Sequence, residues 1–242
     1  MPSNAKTILS IWSFKRKRSP AGELLKHKAR LCAHGGMQKW GENYWETYSP
    51  TVSWISVRAL LAVGVINDLS TSTIDFTLAF PQVDLDIDVF MELPMGCVGP
   101  NGDRKGHVLK LNKSLYGLKQ ASHNWFNYLG GALKDHGFIQ SQVDQCVWYE
   151  ENIVLLQYVD DLLIASPDAE SHLRHVRQVF DRLRLHGLSI NPAKCVFAQP
   201  EVEYLGMRVS SGGCVPLQKH SKVISEFPRP VDKKGLQRFL GI

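Results

Sequence analysis

Residues 153–165 read IVLLQYVDDLLIA, an apolar run broken by two adjacent carboxylates. Few arrangements tolerate this. A strand buried along its whole length would carry the apolar residues but not the charges, because an unpaired carboxylate is costly to take out of water. Two apolar strands joined by a tight turn accommodate both. The run therefore predicts a β-hairpin with Asp160 and Asp161 projecting from its tip. Like charges that close repel, and each raises the other's pKa unless a cation joins them. A divalent cation such as Mg²⁺ takes hard oxygen ligands, keeps several waters, and uses one or two carboxylates plus substrate phosphates. A third carboxylate is expected from another segment. Asp75 is the candidate, a lone charge in TIDFTLAF. Asp84, Asp86 and Asp88 alternate with Val, Leu and Ile and read as the wet face of a strand. Asp-Asp is also an ordinary turn dipeptide, since Asp bonds its own backbone in turns. The motif by itself leaves a plain turn open.

The rest of the chain mixes α and β patterns, with hairpins rather than regular βαβ units. That order predicts an α+β fold with an antiparallel sheet. Ser53 caps an apolar stretch expected to be a mostly buried helix to about Leu69. Thr73–Phe80 reads as a strand running into a turn, and Asp88–Leu93 as a strand ended by Pro94. Gly96–Gly106 is a loop. Leu118, Trp125, Leu129 and Leu133 have helical spacing, with Gly137 as the stop. After the acidic hairpin, Ser166-Pro-Asp168 starts a helix with the stripe Leu173, Val176, Phe180 and Leu183, ending at Gly187. Leu188–Val209 reads as a second hairpin, with Cys195 and Phe197 on one strand and Val202 and Tyr204 on the other. A short helix is expected at Lys219–Phe227, and residues 1–30 show no clear period.

The net charge of +5 leans toward an anionic partner. Its cations are uneven. Lys15–Arg18 form a cluster and Lys26, Lys28 and Arg30 follow, a pattern that a solvated arm would also satisfy. The five cysteines are scattered without a Cys-x-x-Cys pair, so neither a disulfide framework nor a zinc site is indicated, and a reducing compartment is expected. No apolar stretch approaches a membrane span, and the N-terminus lacks a signal-peptide pattern.

The segment QYVDDLLIAS (157–166) resembles the Tyr-x-Asp-Asp motif of reverse transcriptases. HKARLCAHGGMQKWGENYWETYSPTVSWISVRALLA (27–62), DFTLAF (75–80), VFMELPMG (89–96) and KLNKSLYGLKQASHNW (110–125) resemble, in the same order, the polymerase of copia-type retrotransposons. GLSINPAKCVFAQPEVEYLGMRVSSGG (187–213) and EFPRPVDKKGLQRFLG (226–241) resemble the gypsy-type enzyme, so the chain reads as a mosaic. The resemblance implies a reverse-transcriptase-like fingers and palm with an antiparallel palm sheet and a partial thumb. Residues 1–26 would be a basic N-terminal arm and 27–186 the fingers and palm core. Residues 187–242 would be the palm end, a primer-holding hairpin and the truncated start of a thumb or connection.

The activity implied is RNA-directed DNA polymerisation, with Mg²⁺ or Mn²⁺ as cofactor held by Asp75, Asp160 and Asp161. Its partners would be an RNA or DNA template, a primer and dNTP, with other element-encoded domains as associates and no membrane. Its place would be intracellular, in a cytoplasmic element particle or the nucleus, and not secreted. Lys28 and Arg30 match residues that grip the triphosphate, with a solvated strand face as the alternative. Phe80, five residues after Asp75, matches a steric gate against the ribose 2′-hydroxyl, with core packing as the alternative. Gly117 and Gln120 match the block beneath the incoming nucleotide, where a glycine allows close backbone approach; a helix-start glycine is the ordinary alternative. Lys194 matches a lysine near the pyrophosphate or is a surface lysine. Tyr204, Leu205, Gly206 and Met207 match the primer-holding hairpin or form an ordinary sheet edge. Two departures stand out. Pro81-Gln-Val-Asp84 replaces a Leu-Asn-Gly-Asp-like turn, and His123 stands where the family carries a basic side chain. They leave a second reading open, a decayed fragment that binds nucleic acid without catalysis. A hydrolase reading lacks the histidine or extra carboxylate that a water nucleophile would need.

Overall fold

The structure is a computed structural model describing residues 6–19, 22–199, 201–210, 213–217 and 224–240. Its elements begin with β1 (Thr7–Ile8), β2 (Ser10–Arg18), β3 (Leu24–Ala33), α1 (Trp54–Ile66), β4 (Ser70–Asp75), β5 (Asp84–Glu92), β6 (Val108–Lys113) and α2 (Ala121–Lys134). They continue with β7 (Ile139–Gln140), β8 (Val147–Glu150), β9 (Ile153–Tyr158), β10 (Asp161–Ser166), α3 (Ala169–Leu185), β11 (Glu201–Tyr204), β12 (Met207–Ser210), β13 (Gly213–Pro216) and α4 (Lys233–Leu240). Two compact units interleave along the chain. The first comprises Met1–Thr51, Phe76–His136 and Leu185–Ser189; the second holds the remainder.

In the first unit, β5 pairs in parallel with β1 and antiparallel with β6. Ile8, Ala33, Val89, Met91, Leu118 and Ala121 form a buried core there. The helical stripe of α2 is as the spacing predicts, with Trp125, Leu129 and Leu133 buried. Asp84, Asp86 and Asp88 lie on the exposed face of β5. Lys113 and Lys110 pair with Asp84 and Asp88 at 2.8 and 2.6 Å.

The basic stretch expected to be an unpatterned arm is instead half of a regular β-ribbon, β2 against β3. None of the nine residues of β2 is buried. The strand therefore carries no apolar alternation for a reader of the sequence to find. Partners facing each other across the ribbon are Ser13–Arg30, Lys15–Lys28 and Lys17–Lys26. Directly opposed residues share a face, so Lys15, Lys17, Lys26, Lys28 and Arg30 line one side.

The second unit is built on the antiparallel order β4-β10-β9-β8-β7. Leu155, Leu156, Leu162, Leu163 and Ile164 of its central strands are buried, with Ile74 and Trp148 beside them. Helix α3 packs here, but its buried stripe differs from expectation. Leu173 is exposed, while His172, His175, Val176, Val179 and Leu183 are buried. The histidines replace apolar residues because hydroxyls meet them. Ser72 Oγ lies 2.6 Å from His172 Nε2, and Ser166 Oγ lies 3.0 and 2.9 Å from His172 Nδ1 and His175 Nδ1. Burial holds both imidazoles below the usual histidine range.

Helix α1 starts as predicted, with Ser53 Oγ accepting from the Ile55 amide. It is not mostly buried. Only Val57 and Leu61 are, while Ile55, Val63 and Ile66 face solvent. Its sequence is apolar around most of the circumference, so the covered and uncovered faces look alike. The second hairpin is shifted. Residues 188–199 form no strand, and the hairpin is β11–β12, turning at Leu205–Gly206 and extended by β13. Segment 191–198 instead covers the edge of β4, through a bridge between Thr73 and Val196. The helix expected at Lys219–Phe227 falls largely outside the described residues, of which only a helical turn at Ile224–Ser225 belongs to it. Among the described residues no helix is long and apolar enough to cross a membrane.

Candidate active site

The hairpin forms, but its tip is not the acidic pair. The two turn residues are Val159 and Asp160, and Asp161 is the first residue of β10. Val159 has φ of +51°, a region that β-branched residues rarely enter. Holding it there costs about 1–3 kcal/mol, sustained by the buried strands on either side. The consequence is a register. Asp161 faces Tyr158 on β9 and Asp75 on β4. Opposed residues on antiparallel strands have their Cβ atoms about 4.5–5.5 Å apart. Strand pairing alone thus brings Asp75 beside Asp161, with Asp160 adjacent on the turn.

The electrostatics follow from that crowding. The Asp161 carboxyl is pushed up to about 6, first by burial, then by the charges of Asp160 and Asp75, with Lys194 opposing. Lys194 Nζ donates to both oxygens of Asp75, at 2.7 and 2.6 Å. The turn that carries Lys194 is fastened to β4 by its backbone. The Asn191 amide donates to the Asp75 carbonyl at 2.8 Å, and Thr73 and Val196 exchange bonds of 2.8 and 3.0 Å. The Asp75 amide meets Cys195 Sγ at 3.5 Å, and burial raises that thiol's pKa. The sequence placed Cys195 on a hairpin strand and assigned neither it nor Asn191 to the site. The Asn-Pro dipeptide at 191–192 is the signal that could have marked a turn there, where a strand was expected.

The repulsion has a measurable sign. The folded-state pKa of Asp161 lies above its unfolded value, so the fold penalises the charged form. The penalty is absent below the unfolded pKa, grows as pH rises toward about 6, and is constant beyond. Asp161→Asn is therefore expected to stabilise the metal-free protein by about 1–2 kcal/mol at pH 7.5, with no gain near pH 3.5. Denaturant titrations at the two pH values check this. A variant no more stable than the wild type at pH 7.5 contradicts the assigned repulsion.

The residues matched to nucleotide contacts lie partly in the first unit. The Arg30 guanidinium sits over the Tyr116 ring at 4.7 Å, and Phe80 meets the same ring at 5.0 Å. Lys28 precedes Arg30 by two residues on the same face of β3. Gly117 has φ of +90°, and a Cβ there would lie 2.2 Å from the Ala33 carbonyl oxygen. What requires glycine at this position is the packing of its backbone against that of Ala33 within the protein, not a helix start. Gln120 is buried, donating to the Asn43 carbonyl at 2.9 Å and accepting from Gln38 Nε2 at 2.9 Å. It orders the fold around it. Tyr116 and Gln38 were missed, having no periodicity to mark them.

In the second unit, Tyr204 is buried, with its hydroxyl donating to the Leu156 carbonyl at 3.4 Å. Leu205, Gly206 and Met207 are half-buried at the β11–β12 turn. Among the described residues, no group of three or more His, Cys, Asp or Glu side chains is already arranged to hold a metal ion. The donors near Asp75 are two or three hard carboxylates with a cation already drawn to one of them. That chemistry fits a magnesium-class ion completed by water and phosphate.

Residues 1–189 match the family model described as Reverse transcriptase (RNA-dependent DNA polymerase). The Retrovirus-related Pol polyprotein from transposon TNT 1-94 of Nicotiana tabacum is 36% identical over 173 residues, covering 69% of this chain and 13% of that protein. The corresponding polyprotein from transposon RE1 of Arabidopsis thaliana is 37% identical over 171 residues, 69% of this chain and 12% of its own length. The chain thus spans a small part of the curated relatives it matches. A shorter match, 37% identity over 84 residues, covers 35% of this chain and 6% of the Transposon Tf2-3 polyprotein of Schizosaccharomyces pombe. Among solved structures, the foamy viral protease-reverse transcriptase dRH in complex with double-stranded DNA aligns with TM-score 0.55 and 15% identity, over 96% of this chain and 36% of that one. The same enzyme with an RNA/DNA hybrid gives TM-score 0.52 and 16% identity, over 94% and 26%. That likeness shows the fold, a reverse-transcriptase architecture; its α+β class with antiparallel sheets is what the pattern predicted, and its reverse-transcriptase form is what the resemblance implied. The family match over residues 1–189 places the chain in the reverse transcriptase family, and over most of its length it is similar to retrotransposon Pol polyproteins.

Proposed function

We propose that this chain catalyses RNA-directed DNA synthesis. In that reaction the primer 3′-hydroxyl loses its proton and attacks the α-phosphorus of a dNTP, and pyrophosphate leaves. The observation that carries the reading is the β4–β10 register, which sets Asp75 opposite Asp161 beside Asp160. Mg²⁺, or Mn²⁺ in its place, would be held by these carboxylates and, when bound, would activate the nucleophile and neutralise charge on the leaving group. The chain's own residues position the reactants. Lys28 and Arg30 offer fixed positive charge to a triphosphate. Phe80, braced by Tyr116, limits the space beside the ribose, and Gly117 lets the backbone come close. Lys194 meets the pyrophosphate end. The turn at Leu205–Met207 holds the primer end, with Tyr204 anchoring its strand. The cationic face of the β2–β3 ribbon supports RNA or DNA template and primer as partners, with binding that weakens steeply as salt rises.

The finer ancestry belongs to the same proposal. Residues 27–168 are of copia type, and the C-terminal part descends from a gypsy-type element, on the resemblance of the segments at 187–213 and 226–241.

One observation favours a non-catalytic remnant. His123, standing where the family has a basic side chain, has both ring nitrogens engaged, Nδ1 with the Tyr48 carbonyl at 2.6 Å and Nε2 with Asn127 at 2.9 Å. A labelled DNA primer on an RNA template, with dNTPs and Mg²⁺ or Mn²⁺, separates the two readings. Extension that requires the ion is expected. Protein that binds the primer–template and never extends it overturns the polymerase reading.

A further inference from the structure

We propose that Lys194 is the resident counter-ion of Asp75, occupying its carboxylate until a divalent cation displaces it. The inference rests on the reading of Asp75 as a cation ligand. Both oxygens of Asp75 accept from the same ammonium, at 2.7 and 2.6 Å. A metal ion needs those oxygens at comparable distance, so ammonium and metal exclude one another. The two partners are unequally held. The Asp75 side chain is 17% exposed and that of Lys194 is 57% exposed. The carboxylate is fixed by the sheet while the lysine head stays at the surface, with a flexible stem on which to swing away. Without a metal, the ion pair offsets part of the repulsion among Asp75, Asp160 and Asp161. With a metal, the lysine is released next to the site, where a polyphosphate would arrive.

A counter-ion and a structural clamp predict opposite signs. If Lys194 merely steadied Asp75, its loss would weaken metal binding. If it competes, its loss strengthens binding. The backbone bonds of Asn191 and Val196 to β4 hold the loop without the ammonium, so the variants keep the local fold.

The experiment titrates Mn²⁺ into the full chain without nucleic acid and follows the free ion by electron paramagnetic resonance. Lys194→Gln is expected to bind Mn²⁺ about three- to tenfold more tightly than the wild type. Lys194→Arg, which keeps the charge, should stay near the wild type, and adding Asp75→Asn to Lys194→Gln should remove the gain. Lys194→Gln binding no more tightly than a wild type whose own binding needs Asp75 overturns the counter-ion role and leaves the cation site standing. If neither protein shows binding that depends on Asp75, the ligand reading of Asp75 and the counter-ion fall together.

Discussion

Asp160→Asn is expected to slow primer extension by about a thousandfold or more, the loss of several kcal/mol of charge stabilisation at one centre. Asp160 contributes no strand hydrogen bond to the ladder and occupies a turn, where Asn is as acceptable as Asp. The substitution is also isosteric. Its effect on the fold should therefore be small, and removing one negative charge relieves Asp161, whose carboxyl Asp160 helps to push up. The variant separates chemistry from stability. Single-nucleotide incorporation on a labelled primer gives the rate, and thermal melting gives the control. A variant that keeps a tenth of the wild-type rate contradicts a ligand role for Asp160.

Gly117→Ala is the substitution expected to damage the fold most. The added methyl meets two obstacles. Its backbone stays at φ of +90°, and its Cβ falls 2.2 Å from the Ala33 carbonyl oxygen, which is backbone and cannot rotate aside. The approach is reciprocal, because a Cβ on Gly35 would lie 2.1 Å from the Gly117 carbonyl oxygen. The Ala33 amide is bonded to the Tyr116 carbonyl at 2.8 Å, so the segments separate only by breaking that bond. Strain and overlap together should cost about 3 kcal/mol or more, lowering the melting temperature by roughly 6–12 °C for a chain of this size. Differential scanning calorimetry checks this. A loss under about 2 °C would mean that the two backbones are not held this closely.

Apolar periodicity made much of the second unit's sheet, and one helix of the first unit, readable. The hairpin of β9 and β10, the lone charge at Asp75 and the stripe of α2 all follow from which residues must avoid water. What escaped shares one physical cause, that the deciding interaction was not apolar burial. Strand β2 has no buried residue and leaves no alternation. His172 and His175 take buried positions on α3 because Ser72, distant in sequence, and Ser166, at the end of the preceding strand, meet their rings. The turn moved by one residue because Val159 adopts a conformation that its side chain disfavours. That shift changes the site, since it places Asp161 in the sheet opposite Asp75 rather than at a free tip. The carboxylates themselves were legible as charges without an apolar reason to be there. The loop that fastens Asp75 through Asn191 and Cys195 became visible only with the tertiary fold.

Anomalous diffraction from crystals of the protein soaked with Mn²⁺ and a dNTP tests the shared cation site most directly. The expected map has a manganese peak within about 2.5 Å of oxygens from both Asp75 and Asp161, with Lys194 displaced from Asp75. Manganese bound elsewhere, with Lys194 still seated on Asp75, would contradict the account.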